Sequence, residues 1–411
     1  METLIDSQDT ILIESENKVE ITQTPDRTEL VRRAREIVPI LQKHATWHEQ
    51  HRRLHEETIE AMARAGIFKL RVPKRYGGYE SDVQTVVDVL TEIGQGDGSS
   101  AWTGQLWLHG AWMVGLFPDA VQDEVFSDPD VRVSALLSPT ATAVRKDDGV
   151  VVSGQWHFNS GALHSHWDLV NAMSTRAEGT PEPIVALIPM SELEVIDDWD
   201  TSGLRGTGSV TTVAKEVFVP NARVLSGAAL IQGQSASKLN ADTPLYRSPV
   251  ALTGATLSSV TGLGLAKAAM EAFFQRLPGR HIAYTTYANQ IEAPLTHLQV
   301  AEATMKIDEA EFHAYRAATL LDTKAASGEA WTVEERSRVR LDAAWVCRLA
   351  KEAVDILSTA SGGSSIYSSV PIQRIARDVQ ALNLNGLLHP NTNLELYGRV
   401  LCGLSPNTVY L

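Results

Sequence analysis

Apolar residues return at helical spacing through the charge-rich stretch Glu29–His55 (Leu30, Ile37, Ile40, Leu41), which predicts a helix with one buried stripe. The periodicity continues from His55 to about Ala65 and stops at Gly66. Ile67–Val72 then leads through Pro73 into the turn Tyr76-Gly77-Gly78, and helical spacing resumes over Val83–Ile93. Gly94–Ser100 reads as a loop of small residues, and Ala101–Phe117 as a strongly apolar, aromatic helix.

From about Val131 the period changes to two. Val131–Leu137, Val150–Phe158, Asp168–Met173, Pro183–Ile188 and Thr211–Val219 are strand candidates separated by Asp-Asp-Gly, Gly and Pro turns. A Gly/Ser/Gln-rich stretch, Ser226–Lys238, follows. From Ser248 onward the pattern is helical, in long amphipathic pieces: Leu252–Leu277, Leu295–Ala326, Val333–Ser361 and Pro371–Asn385. No internal repeat is present. Helices, then strands, then helices predict an α+β chain whose sheet domain lies between helical layers. The expected division is a mobile N-terminal arm (1–25), an N-terminal helical domain (26–130), a central β-domain (131–235) and a C-terminal helical bundle (236–411).

Composition narrows the classes of function. The 411 residues carry a net charge of −14 and no basic stripe, so no nucleic-acid partner is expected. No uninterrupted apolar run reaches the ~18–20 residues that span a bilayer, and the acidic, polar start lacks the form of a signal peptide. Only two cysteines occur, Cys347 and Cys402, both in apolar helical segments. That usage fits a reducing cytoplasm rather than a disulfide framework.

Several stretches carry candidate chemistry. Asp197–Val224 places Trp199 before a small-residue turn, Gly203-Leu-Arg-Gly-Thr-Gly-Ser209, and a strand ending in Phe218-Val219-Pro220. Gly154-Gln-Trp-His-Phe-Asn-Ser-Gly161 sets Trp156 and Phe158 on one strand face and Gln155 and His157 on the other. Asn159 and Ser160 close that strand with hydrogen-bonding side chains, or serve only as a polar strand cap. On Ala101–Phe117, Trp102 and His109 stand near two turns apart and Trp112 one turn further, a possible shared face that is equally an aromatic core stripe. Pro371–Asn393 contains Arg377-Asp378 and, further on, His389 before Pro390, which could be a plain helix-capping histidine. Gly362-Gly363-Ser364-Ser365 is a small-residue turn whose N–H groups could hold a phosphate, or a simple helix cap.

Taken in order with Gly66-Ile-Phe, Val72-Pro73 and Tyr76-Gly77-Gly78, these motifs resemble the acyl-CoA dehydrogenase fold superfamily from about residue 28 to the end. The resemblance is closest to its branch of two-component (group D) flavin-dependent monooxygenases. It implies an N-terminal helical domain, a central β-barrel-like domain and a C-terminal four-helix bundle. Dehydrogenases of the family place a catalytic glutamate followed by Gly-Thr about eight residues after the Arg-Asp pair. Here Gly386 stands at that distance, no acidic residue occurs between Asp378 and Glu395, and His389 takes the place after a short insertion.

The resemblance therefore implies an oxygenase component using reduced FMN or FAD, delivered by a separate NAD(P)H-flavin reductase, and O2. A C4a-hydroperoxide would hydroxylate an aromatic or polyketide-like small molecule. Asn159 or Ser160 would contact flavin N5 and donate a hydrogen bond there. His389, with His109, would orient the substrate and manage its proton, a task suited to imidazole. Trp102, Trp107 and Trp112 would form a dry wall, and Ser138 in the loop Ser134–Thr140 would line the other side of the ring. Arg280, Gln299, Gly362 and Gly363 would clamp the flavin across subunits of a homotetramer. The alternatives are an amino-sugar N-oxygenase, an acyl-CoA dehydrogenase using Glu395, and a non-catalytic flavin-fold partner.

Two patterns are set aside. His44, His48, His51 and His55 fall at zinc-compatible spacing, but interleaved Glu49, Arg52 and Glu56 indicate a solvated face, and no metal is expected. Gly262-Leu-Gly264 lacks the third glycine and the βαβ context of a dinucleotide fingerprint.

Overall fold

The computed structural model describes residues 24–136, 138–175, 181–231 and 233–411. Most of the expected N-terminal arm, and Leu137 at the end of the first strand candidate, lie outside the described residues.

The N-terminal layer comprises α1 (Arg27–His51), α2 (Glu56–Arg64), α3 (Val83–Gly96), α4 (Gly98–Val114) and α5 (Asp119–Val125). Asp26 caps α1 by accepting from Glu29 N–H, and His55 caps α2. The expected loop Gly94–Ser100 is absent: α3 runs to Gly96, α4 starts at Gly98, and only Asp97 intervenes. Two causes replace the loop. Asp97 is extended and its carboxylate accepts from Ser100 N–H, so one residue both breaks and restarts the helix. Gly94 meets Gly264 across a helix crossing so close that a Cβ on Gly264 would stand 2.6 Å from Gly94 Cα. The glycines serve interhelical contact rather than a turn, which also accounts for Gly262-Leu-Gly264.

The sheet comprises β1 (Val133–Ala135), β2 (Ala141–Arg145), β3 (Gly149–Asn159), β4 (Trp167–Thr175), β5 (Glu182–Pro189), β6 (Glu194–Ile196), β7 (Val210–Pro220) and β8 (Val224–Ser226). Its order is β6-β7-β3-β2-β4-β5-β8, with β1 parallel to β4. Among the described residues β6 and β8 do not pair, so the barrel-like sheet stays open at that seam. The strands missed by periodicity, β2, β6 and β8, have 5, 3 and 3 residues, too short to show a convincing alternation. A short helix, α6 (Gly227–Ile231), opens the Gly/Ser/Gln-rich stretch.

The C-terminal layer comprises α7 (Val250–Arg276), α8 (Pro294–Ser327), α9 (Val333–Ala360), α10 (Pro371–Asn383) and α11 (Pro390–Leu401). α7 to α10 form the four-helix bundle, and α7 also packs on α3 and α4. α9 opens on a capping box between Thr332 and Glu335. One large core joins the N-terminal helices to the bundle. A smaller apolar cluster forms where all three layers meet: Trp102, Leu204, Ala255, Cys347 and Leu388. No helix among the described residues is long and apolar enough to cross a membrane.

Candidate flavin and substrate site

The site starts at the end of β3. Strict alternation there would put Phe158 beside Trp156. Instead the register shifts between Trp156 and Asn159, and Phe158 takes a left-handed φ of 65°, a strained conformation for a non-glycine residue. Trp156 is therefore buried while Phe158 is 69% exposed, edge-on to Trp199 at 5.7 Å. The bulge also separates its two polar neighbours. Asn159 turns inward and donates to Asp168 (2.6 Å) and Thr212 (2.9 Å). Asp168 also accepts from Ser134 at 3.0 Å. Burial raises the Asp168 carboxyl to about 6 against the hydrogen bonds that favour its charged form.

Ser160 turns toward the helices. Its Oγ accepts from Trp102 Nε1 at 3.0 Å and lies 2.6 Å from Ser209 Oγ. Ser209 is 2.6 Å from Thr207 Oγ1, and Thr207 donates to the Leu204 carbonyl at 2.8 Å. Each hydroxyl has one proton. Thr207 spends its own on Leu204, so Ser209 donates to Thr207 and Ser160 to Ser209. Ser160 is left with a lone pair for an outside N–H donor.

Asp378 on α10 holds the Gly203–Ser209 turn, accepting from Leu204 N–H at 2.6 Å. Burial, and after it the charge of Asp97, pushes this carboxyl up to about 7. Arg377 adds a bond from Nη1 to the Ser202 carbonyl (2.7 Å) and an ion pair with Glu49. The Arg-Asp pair therefore docks the turn that supports Ser160.

At 3.6 residues per turn, Trp102, Gln105, His109 and Trp112 share one face of α4. Both ring nitrogens of His109 are buried and have no hydrogen-bond partner among the described residues, as do both amide atoms of Gln105. Burial, then the Arg71 charge, lowers His109 to about 3, so it is neutral at pH 7. Trp107 points elsewhere, donating to Ser165 at 2.9 Å. Trp112 donates to the Leu245 carbonyl at 3.0 Å.

His389 is half-buried at the N-cap of α11, with Nδ1 buried and unpartnered among the described residues. Its neighbour Leu388 belongs to the cluster containing Trp102. Arg340 on α9 braces this segment, donating to the carbonyls of Leu387 (3.0 Å) and Tyr410. Glu395 is exposed and accepts from Asn407, so it does not supply a dehydrogenase base to the Trp102 cluster.

A second centre forms at the end of α7. Arg280 Nη2 donates to the Ser361 carbonyl (2.5 Å) and Arg276 Nη2 to Ser364 (3.1 Å). Each arginine keeps a buried Nη1 without a partner among the described residues. Gly362 between them has φ 63° and ψ −177°, a conformation essentially restricted to glycine, and Gly363 starts the following helical turn. Two cationic donors flanking this turn fit a phosphate. Gln299 is half-buried on α8, and its side chain makes no hydrogen bond among the described residues. Ser138 is exposed, and its carbonyl accepts from Thr140.

Sequence reasoning missed Ser209, Arg276 and Arg71. Arg276 stood one helical turn before Arg280, and Arg71 stood beside Val72-Pro73 in a stretch that also holds Lys69, Lys74 and Arg75, with nothing to mark it out. The histidine face was also misjudged. His48 is fully buried between Asp97 (3.0 Å) and Thr58 (3.0 Å), and His44 is also buried. His44, His55 and Glu57 do gather, but the two rings stack at 3.9 Å and 13°, so their in-plane lone pairs do not converge on one ion.

The family models for the acyl-CoA dehydrogenase N-terminal and C-terminal domains match residues 24–124 and 256–388. The oxygenase subunit HsaA of a flavin-dependent monooxygenase from Mycobacterium tuberculosis is 30% identical over 90% of this chain and 94% of its own length. The oxygenase component of an FADH2-dependent resorcinol hydroxylase from a Rhizobium species is 29% identical, covering 94% and 97%. The structure of XiaF from a Streptomyces species with FADH2 and glycerol superposes with a TM-score of 0.87 at 31% identity, covering 93% of this chain and 97% of that one. With reduced flavin as cofactor and a separate reductase as its source, the chain belongs to the two-component flavin-dependent monooxygenase branch of the acyl-CoA dehydrogenase superfamily.

Proposed function

We propose that this protein hydroxylates a phenolic or related aromatic small molecule in the cytoplasm, as a homotetramer fed by an NAD(P)H-flavin reductase. The observation that carries this reading is the chemistry around Trp102. Besides the buried Cys347 thiol, the titratable side chains offered near it with unpartnered atoms are His109, two turns along α4, and His389, next to Leu388, while Asp378 is taken up by Leu204 N–H and the exposed Glu395 by Asn407. Imidazoles suit proton exchange with a phenol, whereas α-proton removal from a thioester needs a placed base. Relatives named as hydroxylases of resorcinol and p-hydroxyphenylacetate favour the same substrate class.

The reduced flavin, when bound, supplies the electrons that split O2, one oxygen going to the substrate and the other to water. The chain's own residues hold and shield it. Ser160 accepts from the N5–H of the reduced ring, the reverse of the donor expected from sequence, while Asn159 keeps the strand end in shape. Ser138 lines the ring from the β1–β2 loop. Arg280, Arg276, Gly362 and Gly363 take the phosphate, and Gln299 approaches from a neighbouring subunit. Trp102 and Trp112 exclude water, with Trp107 packed behind them. His389 orients the substrate hydroxyl and takes its proton, and neutral His109 offers a second hydrogen bond. An exposed apolar stripe on α8 (Leu295, Leu298, Met305, Phe312) supports association. The division at residues 26–130, 131–235 and 236–411 is kept as the proposed domain map.

Stopped-flow mixing of the protein with FMNH2 or FADH2, then with oxygenated buffer, tests the proposal. Reoxidation should be much slower than for free flavin. Reoxidation at the free-flavin rate, with and without aromatic ligands, would refute it.

A further inference from the structure

The α4 face that begins at Trp102 ends at Trp112, ten residues on, or about 15 Å along the helix axis. Around the Trp112 indole gather three polar groups. The Arg71 guanidinium lies 5.4 Å from the ring, His109 5.3 Å and Tyr246 6.5 Å. All three side chains are more than nine-tenths buried. Arg71 makes one hydrogen bond, from Nη1 to the Ser81 carbonyl at 3.1 Å. Its Nε and Nη2, the Tyr246 hydroxyl and both His109 nitrogens have no partner among the described residues.

Arg71 also has no ion-pair partner there. Asp322 and Asp82 act on it only from a distance. Asp322 is occupied by the N–H groups of Val83 and Gln84, and Asp82 by that of Thr85. A buried, unpaired guanidinium is costly. It stands next to a phenol that can donate and a histidine on the substrate face of α4. α7 holds the histidine from the other side: His109 packs on the bare backbone of Gly254, where a Cβ would stand 3.2 Å from Nε2.

We propose that Arg71 and Tyr246 form a subsite for the carboxylate of an aromatic substrate, with Trp112 as its wall and His109 between it and the reacting ring. The inference rests on the aromatic hydroxylase reading. Guanidinium and phenol are both donors, so their ligand is an acceptor, and the unpaired charge selects an anion. The length of the face favours a carboxylate on an arm over one attached to the ring.

The test titrates the protein calorimetrically, without oxygen and with FADH2, using 4-hydroxybenzoate, 3-(4-hydroxyphenyl)propanoate and their primary amides. The longer acid should bind about tenfold or more tighter than its amide, corresponding to one decade in Kd. Arg71→Met should erase that preference while leaving amide affinity within about twofold, since an apolar replacement of a buried charge is tolerated. Tyr246→Phe should reduce it severalfold and serves if Arg71→Met does not fold. Equal binding of acid and amide by the unaltered protein overturns the subsite, as does a preference that survives the substitution. FADH2 reoxidation on the same samples separates the two readings. Delayed reoxidation with no acid preference removes the subsite alone. An acid preference with free-flavin reoxidation keeps the subsite and removes the oxygenase reading.

Discussion

Where α4 meets the end of β3, most buried polar groups are paired: Trp102 to Ser160, Ser160 to Ser209, Ser209 to Thr207, Thr207 to Leu204, and Asn159 to Asp168, with Asn159 Oδ1 and Thr103 Oγ1 left over among the described residues. Where the same helix meets α7, Gln105, His109, Thr253 and Thr256 are buried without partners among the described residues. Satisfied buried networks fix a single geometry, whereas unsatisfied buried groups require an explanation. The first region is scaffold and the second is receptor. On the proposed function, the difference separates residues that place the flavin edge from residues that wait for a ligand.

The contrast is most exposed to failure at Asp168. Asp168→Ala takes the acceptor from the Thr212 hydroxyl and from one Asn159 amide N–H, and leaves the Ser134 hydroxyl only the Trp167 carbonyl, all in a closed interior. It should cost on the order of 3–5 kcal/mol in urea unfolding. His109→Leu, on the receptor side, should cost under ~1 kcal/mol, because it removes an unpaired buried ring. Reversal of that order would break the comparison.

Asp378 sharpens it through pH. Its folded pKa, pushed up to about 7 by burial, lies above the ordinary carboxyl value of 3.8. The folded state therefore holds a proton that the unfolded chain releases, and this contribution is full below pH 3.8 and lost as pH rises through 7. Asp378→Asn still accepts from Leu204 N–H but does not titrate. Its stability relative to the unaltered protein should climb between pH 4 and 7, by at most a few kcal/mol, and level off above. A flat difference in melting temperature across that range would show that Asp378 is not held protonated.

His389 probes the receptor side by activity. His389→Ala should lower product formation about 100-fold and leave the melting temperature nearly unchanged, since its ring makes no hydrogen bond among the described residues. Normal turnover would remove it from the proton path.

Much of the scaffold was legible in sequence because it follows periodicity. The long helices and the strands β3, β4, β5 and β7 announced themselves, whereas Asn159-Ser160 and the Arg-Asp pair stood out only through the family resemblance. What stayed hidden depended on contacts between distant segments. The helical state of Gly94 and Gly96 is fixed by Gly264 and Leu41. The exposure of Phe158 depends on a bulge against β7, and the burial of His48 on Asp97 and Thr58. The receptor was least legible. Arg71 is 38 residues before His109 and 175 before Tyr246 in the chain, and no local pattern shows that they meet at Trp112.

Ser160 lies on the boundary between the two regions and gives the smallest, most discriminating effect. Its proton goes to Ser209 and one lone pair to Trp102, so one acceptor position remains free. Ser160→Ala removes that acceptor and leaves Trp102 Nε1 and Ser209 in need of a partner, costing about 1 kcal/mol of stability. If Ser160 holds the N5 proton, the fraction of O2 released as hydrogen peroxide should rise severalfold at an unchanged rate of O2 consumption. Ser160→Thr, which keeps the acceptor, should restore coupling. Asn159→Ala should instead lower stability first, because its amide bridges Asp168 and Thr212. Peroxide release that tracks melting temperature across all three variants would assign the effect to scaffold. Release that tracks only the presence of a hydroxyl at residue 160 would place it at the flavin edge.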